Sequence, residues 1–300
     1  MNAKTTSLFV VLLTGILAIG VYPAKAKAET KEKASAPTQA RVFRLAVQPT
    51  TKPVIALERY QPIVDYLNVA TKLHIELAVT ESYEDFSDLQ KKRIVDFVIQ
   101  DAFSTYLINQ QAKLVPVACV ISPKGELYDP GFFVVRADSE IKRLSDLKGR
   151  TLLFGPKANA AKYLAAYILL KKSQIDVEKD LTYEFGGTCP HNAMSVFLGE
   201  HDAGLVCGLY MAQPNKRFNF ETDLRVIAQT GDWPPYWIVS ASKKSDEIVM
   251  NNVKDALLEL DMKNPKTHEV LSICKWKGFT KYSGEIDIVE KLVKKYAVPH

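Results

Sequence analysis

Cysteine is scarce in this chain, with four residues in all and none before Cys119. That excludes a densely disulfide-stapled scaffold, and it excludes the acylated cysteine that tethers a bacterial lipoprotein just behind its leader. The common catalytic signatures are missing too. There is no Gly-x-Ser-x-Gly elbow, no His-Glu-x-x-His pair and no phosphate loop, so serine hydrolases, zincins and nucleotide hydrolases lose their usual sequence support. Charge of one sign is not in excess either: 39 basic residues face 34 acidic ones, a formal +5. Such a balance gives no electrostatic argument for a nucleic-acid partner. Long apolar runs are confined to one, at 6–23, and no internal repeat is visible.

What is present begins with that run. A short polar start carrying Lys4 leads into an apolar stretch, followed by Ala24-Lys-Ala26 and Ala26-Lys-Ala28. This is the form of a secretory signal with small-x-small cleavage sites, and residues 1–28 are expected to be removed on export. An uncleaved anchor is the alternative, since about 18–20 apolar residues span a bilayer. Removal takes away Lys4, Lys25 and Lys27 and no acid, so the formal charge falls from +5 to +2. Residues 29–40 then have no apolar period and read as a solvated tether.

From Arg41 onward strand-like and helix-like patterns alternate. Strands are expected at 42–47, 73–79, 95–99 and 114–121, with helices at 57–67, 83–92 and 104–111 between them. A further strand at 131–136 opens a second series, with strands at 150–155, 181–185, 203–207 and 224–229 and helices at 160–172 and 191–198. A strand at 236–241 leads into helices at 246–261, 266–274 and 285–296. Repeated strand-then-helix order implies right-handed crossovers and mainly parallel sheets. The fold class is therefore α/β in two lobes: one of 41–134 with 242–300, the other of 135–241. Two chain crossings between lobes make a hinge of the kind that closes on a ligand.

In such sheets ligands sit beyond the carboxyl ends of the strands. The loops there contain Gln48, Tyr83 and Asp101 in the first lobe. In the second, Pro156-Lys-Ala-Asn-Ala-Ala161 offers Lys157, the capping Asn159 and the amide of Ala160 to an anion. Gly186-Gly-Thr-Cys-Pro-His-Asn192 sets His191 and Asn192 beside small residues that let backbone approach a ligand. Cys189 and Cys207 fall at the ends of neighbouring strands, and three readings stay open for them: a disulfide, two thiols, or a metal site with His191. Metal is the weakest, because no second histidine lies nearby to complete the donor set. Asp232, among the aromatics of Gly231-Asp-Trp-Pro-Pro-Tyr-Trp237, is placed to meet an amine or hydroxyl.

Four segments carry a family resemblance: Arg41-Val-Phe-Arg-Leu-Ala-Val-Gln-Pro49, Val95-Asp-Phe-Val-Ile99, Gly131-Phe-Phe-Val-Val-Arg136 and Ser145-Asp-Leu-Lys-Gly149. In order and spacing they resemble the phosphonate-binding periplasmic proteins of ABC transporters, across 41–295. The resemblance implies the two-lobed, type 2-like periplasmic-binding-protein fold, a small-molecule ligand, an ABC transporter permease as partner, no cofactor and no catalysis. It also implies roles for Tyr106, as the first-lobe binding tyrosine, and for His191. Where the family has a Ser-Thr-Ser-Gly anion segment, this chain has Ala158-Asn-Ala-Ala161, leaving backbone amides without hydroxyls. The expectation is a monomeric periplasmic solute-binding protein for a phosphonate or other oxyanion. A ligand- or redox-sensing binder that signals to a membrane receptor is the alternative. A secreted thiol enzyme built on Cys189 and His191 stands behind both.

Overall fold

The computed structural model describes residues 41–213, 218–231 and 237–300. The expected leader and tether, and Asp232, lie outside the described residues. The first series of elements is β1 (Val42–Val47), α1 (Pro53–Thr71), β2 (His74–Ala78), α2 (Tyr83–Lys91), β3 (Phe97–Asp101), α3 (Ala102–Ala112) and β4 (Leu114–Ile121). The second is β5 (Gly131–Arg136), a 3-10 turn (Leu144–Leu147), β6 (Arg150–Phe154), a π-helix (Ala160–Ala165) running into α4 (Ala166–Lys172), α5 (Val177–Asp180), β7 (Leu181–Phe185), α6 (Cys189–Leu198), β8 (Ala203–Cys207), α7 (Gly208–Met211) and β9 (Leu224–Gln229). The chain then returns through β10 (Trp237–Ser242), α8 (Glu247–Leu258), α9 (Pro265–Cys274), β11 (Gly278–Lys281) and α10 (Glu285–Tyr296).

Two sheets result, ordered β11-β4-β10-β3-β1-β2 and β7-β6-β8-β5-β9. Strands β1 to β4 run one way and β10 and β11 run against them. In the second sheet only β5 opposes the rest. The two opposed crossing strands, β5 and β10, are each inserted in the interior of the sheet they enter. Their sheet membership corrects the expected boundaries: the chain changes sheet before Gly131 and before Trp237, not at 134 and 241. Both strands are mostly apolar and mostly buried, so their patterns carry no sign of which sheet receives them. The crossing segments are tied side by side, since the Thr230 amide donates to the Gly131 carbonyl at 2.8 Å and the Gly131 amide to Thr230 Oγ1 at 2.8 Å.

Helix α1 shows why the layers form. Ala56, Tyr60, Ile63, Val64 and Leu67 recur at helical spacing and are buried, packing with Trp237, Trp276 and Phe279 in the core of the first sheet. A second core joins Phe133, Leu152 and Phe154 of the second sheet through Tyr163 and Ile168 to Phe103 of α3 and to Ile286, Val289 and Val293 of α10. This apolar continuity fixes the loops at the strand ends against each other.

Candidate functional site

A cavity of about 390 Å³ lies at those strand ends, within the usual size range for an organic small-molecule site. Its wall takes Thr50, Thr51 and Lys52 from the segment after β1, Asp101 from the end of β3, Asn159 to Lys162 after β6, Thr188 to Pro190 after β7, and Cys207 and Leu209 after β8. The opposed strands bring Asp129 before β5 and Trp237 at the start of β10. Helix α1, the π-helix and α6 therefore all begin at this cavity, with their partial positive ends toward it.

The π-helix and α6 have side-chain caps dictated by their sequence, while α1, entered through Lys52 with Pro53 first, has none. Asn159 Oδ1 accepts from the Lys162 amide at 2.8 Å, and Thr188 Oγ1 accepts from the His191 amide at 3.4 Å. Asp101 caps α3 by accepting from the Ser104 amide at 2.8 Å. Its other oxygen accepts from Gln48 Nε2 at 2.9 Å and from the Ala160 amide at 3.3 Å. The amide expected to face an oxyanion is thus given to a carboxylate of the first sheet. Ser104 Oγ adds a second contact across the cleft by donating to the Ala158 carbonyl at 2.7 Å. Burial raises the Asp101 carboxyl above its ordinary range against these donors. Gln48, 1% exposed, stands behind Asp101: its Oε1 accepts from the Asp101 amide at 2.7 Å and its Nε2 donates to Tyr83 Oη at 3.1 Å. Burial pushes the Tyr83 hydroxyl up to about 12, so it stays protonated.

The largest addition to the sequence reading is Lys162. Its side chain is in the wall yet only 6% exposed, and Nζ donates to the Gly187 carbonyl at 3.1 Å. A Cβ at Gly155 would collide with the Lys162 stem, so glycine there is what lets the lysine cross the end of β6. Burial works to lower the Lys162 amine, but its neighbours, Cys189 first among them, more than offset that and hold the ammonium. Cys189 and Cys207 have sulfurs 3.2 Å apart, and the Cys207 amide donates to Cys189 Sγ at 3.2 Å. The hydrogen bond with Cys207 holds the Cys189 thiol down to about 6 against burial, with Lys162 adding to it. Cys207 is pushed up by the same hydrogen bond and by burial. Asp129 is raised to about 7, chiefly by burial and then by Cys189.

Of the expected residues, Asp101, Asn159, Ala160, Cys189 and Cys207 come together on the wall, with Gln48 and Tyr83 directly behind. Four others stand elsewhere. His191 is exposed, because α6 starts with Cys189 on the cavity side and a residue two steps on is turned by about 200°. Asn192 is fully buried and donates to the Phe154 and Leu205 carbonyls at 2.9 and 3.0 Å, so it ties strand ends together. Lys157 is exposed on the turn after β6. Tyr106 packs on Phe103, 6.4 Å between centroids, beside His300 in the core shared with α10. Thr50 and Thr51 lie in the loop 48–52 at a strand end without a signal that singles them out, and Arg59, Asp129 and Lys162 lie outside the expected loops. Lys162 had a signal, as the one charge within the apolar run 160–170. Asp129 and Arg59 had none. Among the described residues no group of three metal donors occurs.

Residues 45–285 match the family model described as ABC transporter, phosphonate, periplasmic substrate-binding protein. The fold is similar to PhnD1 of Prochlorococcus marinus in complex with methylphosphonate, at TM-score 0.75 and 17% identity over 86% of this chain and 99% of that one. A binding protein component of an ABC phosphonate transporter from Pseudomonas aeruginosa matches at TM-score 0.75 and 16% identity, covering 86% and 87%. XAC2383 of Xanthomonas citri bound to ATP matches at TM-score 0.70 and 20% identity, covering 85% and 98%. The two-sheet fold with its cleft at the strand ends, together with a family match over most of the chain, makes this protein a member of the phosphonate periplasmic substrate-binding family of ABC transporters.

Proposed function

We propose that the chain captures a small organic oxyanion, of phosphonate or sulfonate type, in the periplasm and hands it to an ABC permease, acting as a monomer and without catalysis. The observation that carries this is the convergence of three helix starts and the buried Lys162 ammonium on one cavity, an arrangement that favours negative charge. Thr50, Thr51 and Thr188 add hydroxyls, and Ile55, Leu209 and Trp237 add apolar wall for an organic substituent. The relatives bound to methylphosphonate and, for a sulfonate-binding protein of Xanthomonas axonopodis, to MOPS support the same ligand class.

The test is thermal unfolding of the mature protein with methylphosphonate, methanesulfonate and phosphate. A true ligand at 100 times its Kd stabilises by about 2.7 kcal/mol. If the organic oxyanions leave the transition unmoved at millimolar concentration, the ligand class is wrong. Inorganic phosphate acting as strongly as methylphosphonate would deny the apolar wall a role in binding.

A further inference from the structure

Two cysteines and a lysine meet in the cleft wall. Cys189 is the first residue of α6 and Cys207 the last of β8. They are 18 positions apart in sequence, yet their sulfurs approach to 3.2 Å. Both line the cavity, so a small molecule entering it reaches them. The Cys189 sulfur receives the Cys207 amide and lies at a helix start, with the positive charge of Lys162 favouring its anion, the surroundings that hold a cysteine as its nucleophilic thiolate. The other two cysteines are unlike this pair. Cys274 gives its thiol to the Arg59 carbonyl at 3.2 Å, and Cys119 is buried beside Glu285.

We propose that Cys189 and Cys207 form a redox-active dithiol in the cleft, with Cys189 the attacking sulfur and Cys207 the resolving one, and that their partners are low-molecular-weight disulfides. The Cys189 thiolate attacks one sulfur of RS–SR; a Cys189–S–S–R bond forms, the S–S bond of the small disulfide breaks, and RS⁻ departs. The Cys207 thiol gives up its proton to that RS⁻. Its sulfur then attacks Cys189 Sγ, closing the intramolecular disulfide and expelling the second RS⁻. Two protein sulfurs are oxidised and one small disulfide is reduced to RSH and RS⁻. Closure to a bond of about 2.05 Å draws the two sulfurs together from 3.2 Å. Lys162 stabilises the thiolate that begins the sequence and is a positioning residue in it. The inference needs no particular transport ligand and stands or falls apart from the oxyanion reading.

The full mature chain is equilibrated with mixtures of reduced and oxidised glutathione, quenched with acid, unfolded, alkylated and weighed. The expected result is a fall from four alkylated cysteines to two as the mixture becomes oxidising, with peptide mapping placing the bridge at 189–207. In Cys207→Ser, oxidised glutathione is expected to leave one glutathione on Cys189. In Cys189→Ser, the three remaining cysteines stay alkylatable. Four thiols persisting in the wild type at every ratio overturn the proposal, as does a bridge to Cys119 or Cys274. A glutathione adduct on Cys207 with none on Cys189 overturns the assignment of roles. The wild-type count needs no variant, so a serine variant that folds poorly does not blunt the test.

Discussion

Lys162 places an ammonium where the second sheet ends, with about a full side chain of methylenes buried over Gly155 and Cys189 beside its tip. Hydrogen bonds to charged groups contribute about 1.5–3 kcal/mol, so Lys162→Met is expected to weaken methylphosphonate binding by about tenfold to a hundredfold, measured by calorimetric titration. The same variant releases Cys189 toward the ordinary thiol range, read from the pH at which thiolate absorbance appears. Asp129 gives a separate pH signature. It faces Cys189 from α6, Lys162 from the π-helix and Lys124 from its own loop, and burial raises it to about 7. An acid held above its ordinary range takes up a proton on folding. Its contribution therefore favours the folded state at low pH and is lost as pH rises from about 4, where the unfolded chain ionises, to about 7. Asp129→Asn is expected to raise Tm at pH 8 relative to wild type and to leave it nearly unchanged at pH 4. A Tm difference that is the same at both values would show that Asp129 does not titrate in this window.

At the scale of elements, Asp101 serves two helices at once, capping α3 and accepting the Ala160 amide at the start of the π-helix. Asp101→Ala removes a cap, about 1 kcal/mol, and leaves the buried Ala160 amide unpaired, about 1–3 kcal/mol more, while Gln48 Nε2 keeps Tyr83 Oη and Ser104 Oγ. The expected loss is about 2–4 kcal/mol by denaturant unfolding, and a loss below 1 kcal/mol would mean that water replaces the carboxylate. The same position shows why the sequence was partly readable. Strands β1, β4, β5, β7, β8 and β9 and helix α10 fall on the expected residues because each is a clean apolar or amphipathic pattern. Strand β3 was expected at 95–99 and is found at Phe97–Asp101. Apolar reading stops at Ile99, but Gln100 and Asp101 continue the strand, buried because Gln100 exchanges amide bonds with Gln90 and Asp101 pairs with Gln48. Polar residues inside a buried strand end are where periodicity fails and a site begins. The start of α6 at Cys189, two residues before its expected start, is the same effect, and it is the reason His191 was assigned the inward direction that Cys189 takes. The short β11 and α7 carry too few residues for any period to register.

At the scale of the whole folded unit, the cleft is a charge balance shared by two sheets. In the dithiol state the Lys162 ammonium is paired with the Cys189 thiolate, so part of its attraction for a ligand oxyanion is already spent within the wall. Forming the Cys189–Cys207 disulfide removes that negative charge and no positive one. The oxidised protein is therefore expected to bind methylphosphonate about ten to a hundred times more tightly than the reduced protein, with titrations run in excess reductant and after oxidation by glutathione disulfide. Linkage makes the effect reciprocal: saturating methylphosphonate is expected to shift the thiol–disulfide equilibrium toward the disulfide by the same factor, read from the alkylation count at a fixed glutathione ratio. In Lys162→Met both shifts should vanish, because the ammonium is the group through which the thiolate and the ligand compete. Equal affinity of the oxidised and reduced wild type would mean that the ligand is held by the helix starts and threonines alone, with Lys162 directed at Cys189 and the Gly187 carbonyl in both states.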